Sequence, residues 1–96
     1  MDMTGDEADR LFKALGDANR MRVLELLAGG ERCACVLLEG LRVTQPTLSH
    51  HMRVLCGAGA VKARKDGQKT LYRLDAAGLA RAQGLLAGLL AAAGEA

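Results

Sequence analysis

Cys33 and Cys35 stand one residue apart in the stretch Gly29–Gly40, GGERCACVLLEG, just where an apolar run begins. Two thiols at that spacing could bind a soft ion as thiolates or respond to oxidation. They cannot by themselves make the closed four-ligand set of a structural zinc site. Geometry sets a further condition. In a helix, side chains two apart diverge by about 200°, whereas in extended chain they share a side. With both cysteines expected at the start of a short helix over about Cys33–Glu39, capture of one ion by the pair should unwind or reshape that start, and with it the support of the following helix. A helix start also favours thiolate through its free N–H groups and dipole, with Glu31 opposing that effect. The third cysteine, Cys56, lies 12 residues beyond Thr44. That is roughly 18 Å along a helix axis, so a bystander's position is expected for it and a ligand role is the lesser alternative.

A second constellation follows in the chain. QPTLSHHMRVLCGAG carries Gln45, Thr47, His50 and Arg53 as candidates to touch base edges in a DNA groove. Ser49 and Thr44 suit phosphate, and Arg64, Lys65 and Lys69 further on suit backbone or minor groove. His51 faces more inward than His50, which suits a hydrogen-bonded structural histidine. Charge supports this division. The net +2 conceals five basic against eight acidic residues in 1–40, and seven basic against two acidic in 41–75. A basic block in an otherwise nearly neutral chain is expected of a phosphate-binding face, although a solvated surface can look the same.

The elements that must hold these groups can be read from periodicity and caps. DEADRLFKALG reads as a helix with Leu11, Phe12 and Leu15 on one side. Asp17 can cap ANRMRVLELLA, with Met21, Leu24, Leu27 and Ala28 as its apolar stripe. A short third helix is expected over about Cys33–Glu39. Thr44 caps a fourth, with Pro46 in its first turn and Leu48, Met52 and Leu55 inward. Asp66-Gly67 marks a hairpin in VKARKDGQKTLYRL, with Val61, Ala63, Leu71 and Tyr72 as apolar contacts. Asp75 caps a last helix whose stripe includes Leu79, Ala82, Leu86, Leu89 and Leu90. Gly78, Gly84 and Gly88 weaken it by about 1 kcal/mol each relative to Ala. Such a helix needs cover, and a second copy of itself is the economical one.

The expected fold is therefore mainly α with a small β-hairpin, in the order α-α-α-α-β-β-α: a winged helix-turn-helix. One domain over residues 1–96 is expected. Its helix-turn-helix covers about 33–58, its wing about 60–74 and its dimerisation helix about 76–93.

These residues resemble the ArsR/SmtB winged-helix repressors over about positions 11–75. LFKALGDANRMRVLELL is similar to that family's lead-in, TQPTLSHHMRVLCGAGAVKARKDGQKTLYRL to its recognition helix and wing, and ERCACVLL to the thiolate motif of its arsenic- and cadmium-sensing branches. The resemblance implies a homodimeric repressor on a palindromic double-stranded operator, released by its effector. As(III) or Sb(III) bound by Cys33 and Cys35 would be that effector. The chain departs from the pattern in places. Leu38 stands where the arsenic branch often has a third cysteine. The last helix offers no His or acid before Glu95 for a zinc site, and MDMTGDEADR lacks the cadmium branch's extra cysteines.

Other classes fit less well. Three cysteines, an odd number, and an acidic polar start point to a reduced, cytoplasmic protein. Leu85–Gly94 is too short to span a bilayer, so no membrane partner is expected. No acid–base partner accompanies the thiols, so no enzyme is expected. A small thiol-redox protein or metal carrier would leave the basic wing unexplained. Within the same fold, a sensor of thiol oxidation, or of mercury, cadmium or lead, stays open.

Overall fold

The computed structural model describes residues 5–94. The order is α1 (Gly5–Leu15), α2 (Ala18–Leu27), β1 (Arg32–Cys33), α3 (Ala34–Glu39), α4 (Gln45–Gly57), β2 (Val61–Asp66), β3 (Lys69–Leu74) and α5 (Ala76–Gly94). The four helices, the hairpin and the last helix stand as the sequence implies. The two-residue strand β1 is additional. It pairs antiparallel with β3, so the sheet has three strands in the order β1-β3-β2.

Local chemistry accounts for the boundaries. Asp17 opens α2 by accepting hydrogen bonds from the backbone N–H groups of Asn19 at 2.9 Å and Arg20 at 3.1 Å. The bond from Arg20 comes first in holding the Asp17 carboxyl below the ordinary aspartate range. Thr44 opens α4 by accepting from Thr47 N–H, and Pro46 sits in the first turn, where its missing N–H is no loss. Asp75 accepts from Gly78 N–H at the start of α5. The hairpin's two-residue loop is Gly67-Gln68, one position later than expected from Asp66-Gly67. Gly67 takes the first central place with φ +64°, as a type II′ turn requires.

The core gathers Leu11 and Ala14 of α1, Val23 and Leu27 of α2, Leu37 of α3, and Leu48, Met52 and Leu55 of α4, with Val61 and Ala82. Three expected contacts differ. In α2 the inward stripe is Val23 and Leu27, while Met21 is 43% exposed and Ala28 is also exposed. The helix is turned because Arg20, on the same side as Val23, points inward. Its Nε donates to the Ala14 carbonyl at 2.7 Å, and its Nη1 lies 3.1 Å from Nδ1 of His51. In the hairpin Val61 is buried, and Leu71, Tyr72 and Leu74 are half-buried, but Ala63 is exposed.

Candidate functional site

Cys33 is not in a helix. It ends β1 and serves as the N-cap of α3 with extended backbone, φ −79° and ψ 159°, while Cys35 is the second residue of the helix. The junction turns the two side chains to one side, and the structure joins them in a disulfide with Cα atoms 5.4 Å apart. Two expectations are corrected here. The thiols are paired rather than free, and their convergence leaves α3 intact. The helix begins at Ala34, one residue too late for both cysteines to be helical.

The pair is fixed from two directions. In the sheet, Cys33 lies opposite Leu71 of β3, and Leu71 lies opposite Arg64 of β2, so the three occupy one cross-strand row. Toward α4, a cavity of about 300 Å³ opens beside Cys35, walled by Leu38, Leu48, Met52 and Tyr72, with Gln45 and Ser49 also in its lining. A second space, about 260 Å³, touches both cysteines, Gln45 and the hairpin residues Gln68, Lys69 and Thr70. Gln45 thus meets the surroundings of the thiols from the first turn of α4. A soft ligand bridging two sulfurs fits this donor pair. Among the described residues no three His, Cys, Asp or Glu side chains gather as a metal-holding group. Cys56 is half-buried in a separate space with Arg10 and Arg81, and burial pushes its thiol pKa up.

The polar face of α4 is exposed along Gln45, Thr47, Ser49, His50 and Arg53. Thr44 is exposed too, and its hydroxyl also donates to the Thr47 hydroxyl at 3.0 Å. His51 is buried at 7% exposure against Arg20, as its inward position suggested. Arginine can only donate, so Nδ1 of His51 is the acceptor in that bond. On the wing, Lys65 donates to Thr70 Oγ1 at 2.9 Å, and Lys69 is exposed. Arg64 differs from a free wing cation. Its Nε and Nη2 donate to the two carboxylate oxygens of Glu31 at 2.9 and 2.7 Å, and Arg73 approaches the same group at 3.9 Å. That bidentate contact holds the Glu31 carboxyl below the ordinary glutamate range. Sequence reading named Glu31 only as a charge near the thiols; a lone acid two residues before Cys33 was the available signal.

At the far end, α5 runs 19 residues, and by length and composition alone it is long and apolar enough to cross a membrane. The apolar helix is therefore longer than the stretch Leu85–Gly94 alone implies. The start of α5, however, packs on the rest of the chain, burying Gly78 and Ala82. Beyond that, Leu86, Leu89 and Leu90 are 52%, 61% and 73% exposed, with Leu79 half-buried. Leu79, Ala82, Leu86, Ala87 and Leu90 line one open apolar groove.

The sequence and the fold have known relatives. The family described as "Bacterial regulatory protein, arsR family" matches residues 17–63. The arsenical resistance operon repressor of Staphylococcus aureus is 47% identical over 73 residues, covering 76% of this chain and 70% of that protein. A crystal structure of a possible transcriptional regulator for arsenical resistance superposes with a TM-score of 0.76 at 36% identity, over 84% of this chain and 83% of the other. The solution structure of a homodimeric winged helix-turn-helix DNA-binding domain from Mycobacterium bovis gives 0.73 at 30% identity, over 88% and 79%. Fold, motif placement and sequence agree: the chain belongs to the arsR family of bacterial regulatory proteins, as a winged helix-turn-helix transcriptional regulator.

Proposed function

We propose that the chain is a metalloid-responsive repressor. It binds a palindromic operator as a homodimer in the cytoplasm and is released when As(III) or Sb(III) bridges Cys33 and Cys35. The observation that carries this reading is the placement of two convergent sulfurs at the start of α3, beside the first turn of the DNA-reading helix. Gln45, Thr47, His50 and Arg53 read base edges, with Thr44, Ser49, Lys65 and Lys69 on phosphate. Leu79, Leu86, Leu89 and Leu90 pack against a second copy and set half-sites about one helical turn apart. The kinship with an arsenical resistance repressor favours arsenic among soft ions.

Release runs through position rather than unwinding. A ligand on the sulfurs alters the β1–α3 junction, which is tied to β3 through the Cys33–Leu71 pairing and faces Gln45 across the adjoining spaces. Linkage is reciprocal, so the operator weakens ligand binding by the factor with which the ligand weakens operator binding.

A second reading is favoured by the Cys33–Cys35 disulfide: release on thiol oxidation. One titration separates them. Reduced protein on its own promoter fragment is followed by gel shift with arsenite, and separately with oxidant. The metalloid reading expects release by arsenite, lost in Cys33→Ser with operator affinity retained. Release by oxidant alone replaces it with the redox reading.

A further inference from the structure

The cavity beside Cys35 has more room and less polarity than an inorganic ion needs. It holds about 300 Å³, and its walls are Leu38 of α3, Leu48 and Met52 of α4, and the ring of Tyr72. Trivalent arsenic makes three bonds, and the thiol pair supplies two. Leu38, three residues beyond Cys35, presents a hydrocarbon wall on the same helix. With no further thiol in the cavity's lining and only the neutral thioether of Met52 beside it, the third bond goes to something the ligand brings.

We propose that the preferred ligand is a monosubstituted trivalent arsenical, R–As(OH)2, whose apolar substituent R occupies this cavity. The inference rests on Cys33 and Cys35 being the arsenic site and names which arsenical they take. In the reduced protein two As–S bonds form as two As–O bonds break. The two thiol protons leave with the hydroxides as two waters, and arsenic stays trivalent. With arsenite the remaining group is a hydroxyl, for which Gln45 and Ser49 are the polar neighbours in the lining, and it leaves the Leu38, Leu48, Met52 and Tyr72 side of the cavity unfilled. With a carbon substituent the remaining group matches its surroundings. A phenyl ring fits by volume, since an apolar cavity of roughly 150 Å³ accepts benzene. The same space reaches Gln45 and Ser49, so the filled cavity presses α3 and α4 apart at the residues that read DNA.

The test follows reduced protein bound to a fluorescently labelled fragment of its own promoter, titrated with arsenite, phenylarsine oxide or its 4-biphenyl analogue. The two aryl compounds share their arsenic–sulfur chemistry and differ in the length of the arm. Release by the phenyl compound is expected at a concentration at least tenfold below that of arsenite, and below that of the biphenyl compound. Tyr72 is the only tyrosine and the chain has no tryptophan, so quenching of tyrosine fluorescence reports entry of the arm. Leu38→Phe fills the space and should remove both the phenyl advantage and the quenching. Equal release by phenyl and biphenyl compounds, or a phenyl advantage untouched by Leu38→Phe, overturns the proposal while leaving an arsenite sensor in place. If Leu38→Phe does not fold, the phenyl–biphenyl comparison on the unaltered chain decides. Failure of all three arsenicals to release DNA removes the arsenic reading itself.

Discussion

Glu31 holds one edge of the Arg64 guanidinium, Nε and Nη2, through both of its carboxylate oxygens, at 2.9 and 2.7 Å, across 33 positions of sequence. Glu31 lies two residues before Cys33, and Arg64 stands in the same cross-strand row as Cys33. The contact therefore fastens the thiol junction to the wing and withholds from phosphate a cation that charge alone would assign to it.

Glu31→Gln should free that cation. Operator affinity is expected to rise at low salt, and the slope of log affinity against log salt to steepen by up to ~0.9, the increment for one phosphate contact. The carboxyl is held below its ordinary range by Arg64, so its contribution is present above that range and is lost as pH falls through the lowered value. The variant and the parent should converge in acid. Fluorescence anisotropy across salt and pH checks both points, and an unaltered slope at neutral pH would contradict the restraint.

Arg53 and Lys65 should respond differently to truncation. Arg53→Ala, on the exposed face of α4, is expected to lower affinity and relax base preference by about 1–3 kcal/mol at one position. Lys65→Ala should weaken all sequences alike and flatten the salt slope. Competition binding with single-base variants of the promoter distinguishes the two.

The glycines of α5 are not equivalent. A Cβ at Gly78 would fall on the Gly59 carbonyl, whereas nothing lies within 4 Å of one at Gly84 or Gly88. Helix propensity favours Ala over Gly by about 1 kcal/mol. Gly84→Ala should therefore raise the thermal midpoint, while Gly78→Ala should lower it by forcing α5 off the loop after α4.

Leu89→Lys places a charge on an exposed apolar stretch of α5. If a second copy covers that stretch, sedimentation should show a shift to monomer, with operator affinity falling in parallel. A variant that stays dimeric would move the interface elsewhere.

The sequence announced elements more readily than their rotation or their distant partners. Asp17, Thr44 and Asp75 mark helix starts because a cap acts on N–H groups two or three residues away. Met21 lies outward although the periodicity turns it inward, because Arg20 reads as a surface cation and only the Ala14 carbonyl and His51, brought near by folding, hold it inward. β1 escaped notice because two residues carry no period, and with it went the extended backbone of Cys33 on which the thiol geometry turns. The Glu31–Arg64 contact joins residues whose only common signal is opposite charge. The cavity at Cys35 draws on three elements, which no local pattern could assemble.

The disulfide between Cys33 and Cys35 encloses a single intervening residue. A loop that small restrains the unfolded chain far less than a long one does. Making or breaking the bond should therefore cost the folded molecule little, and the thermal midpoint should hardly differ between the reduced and the oxidised protein.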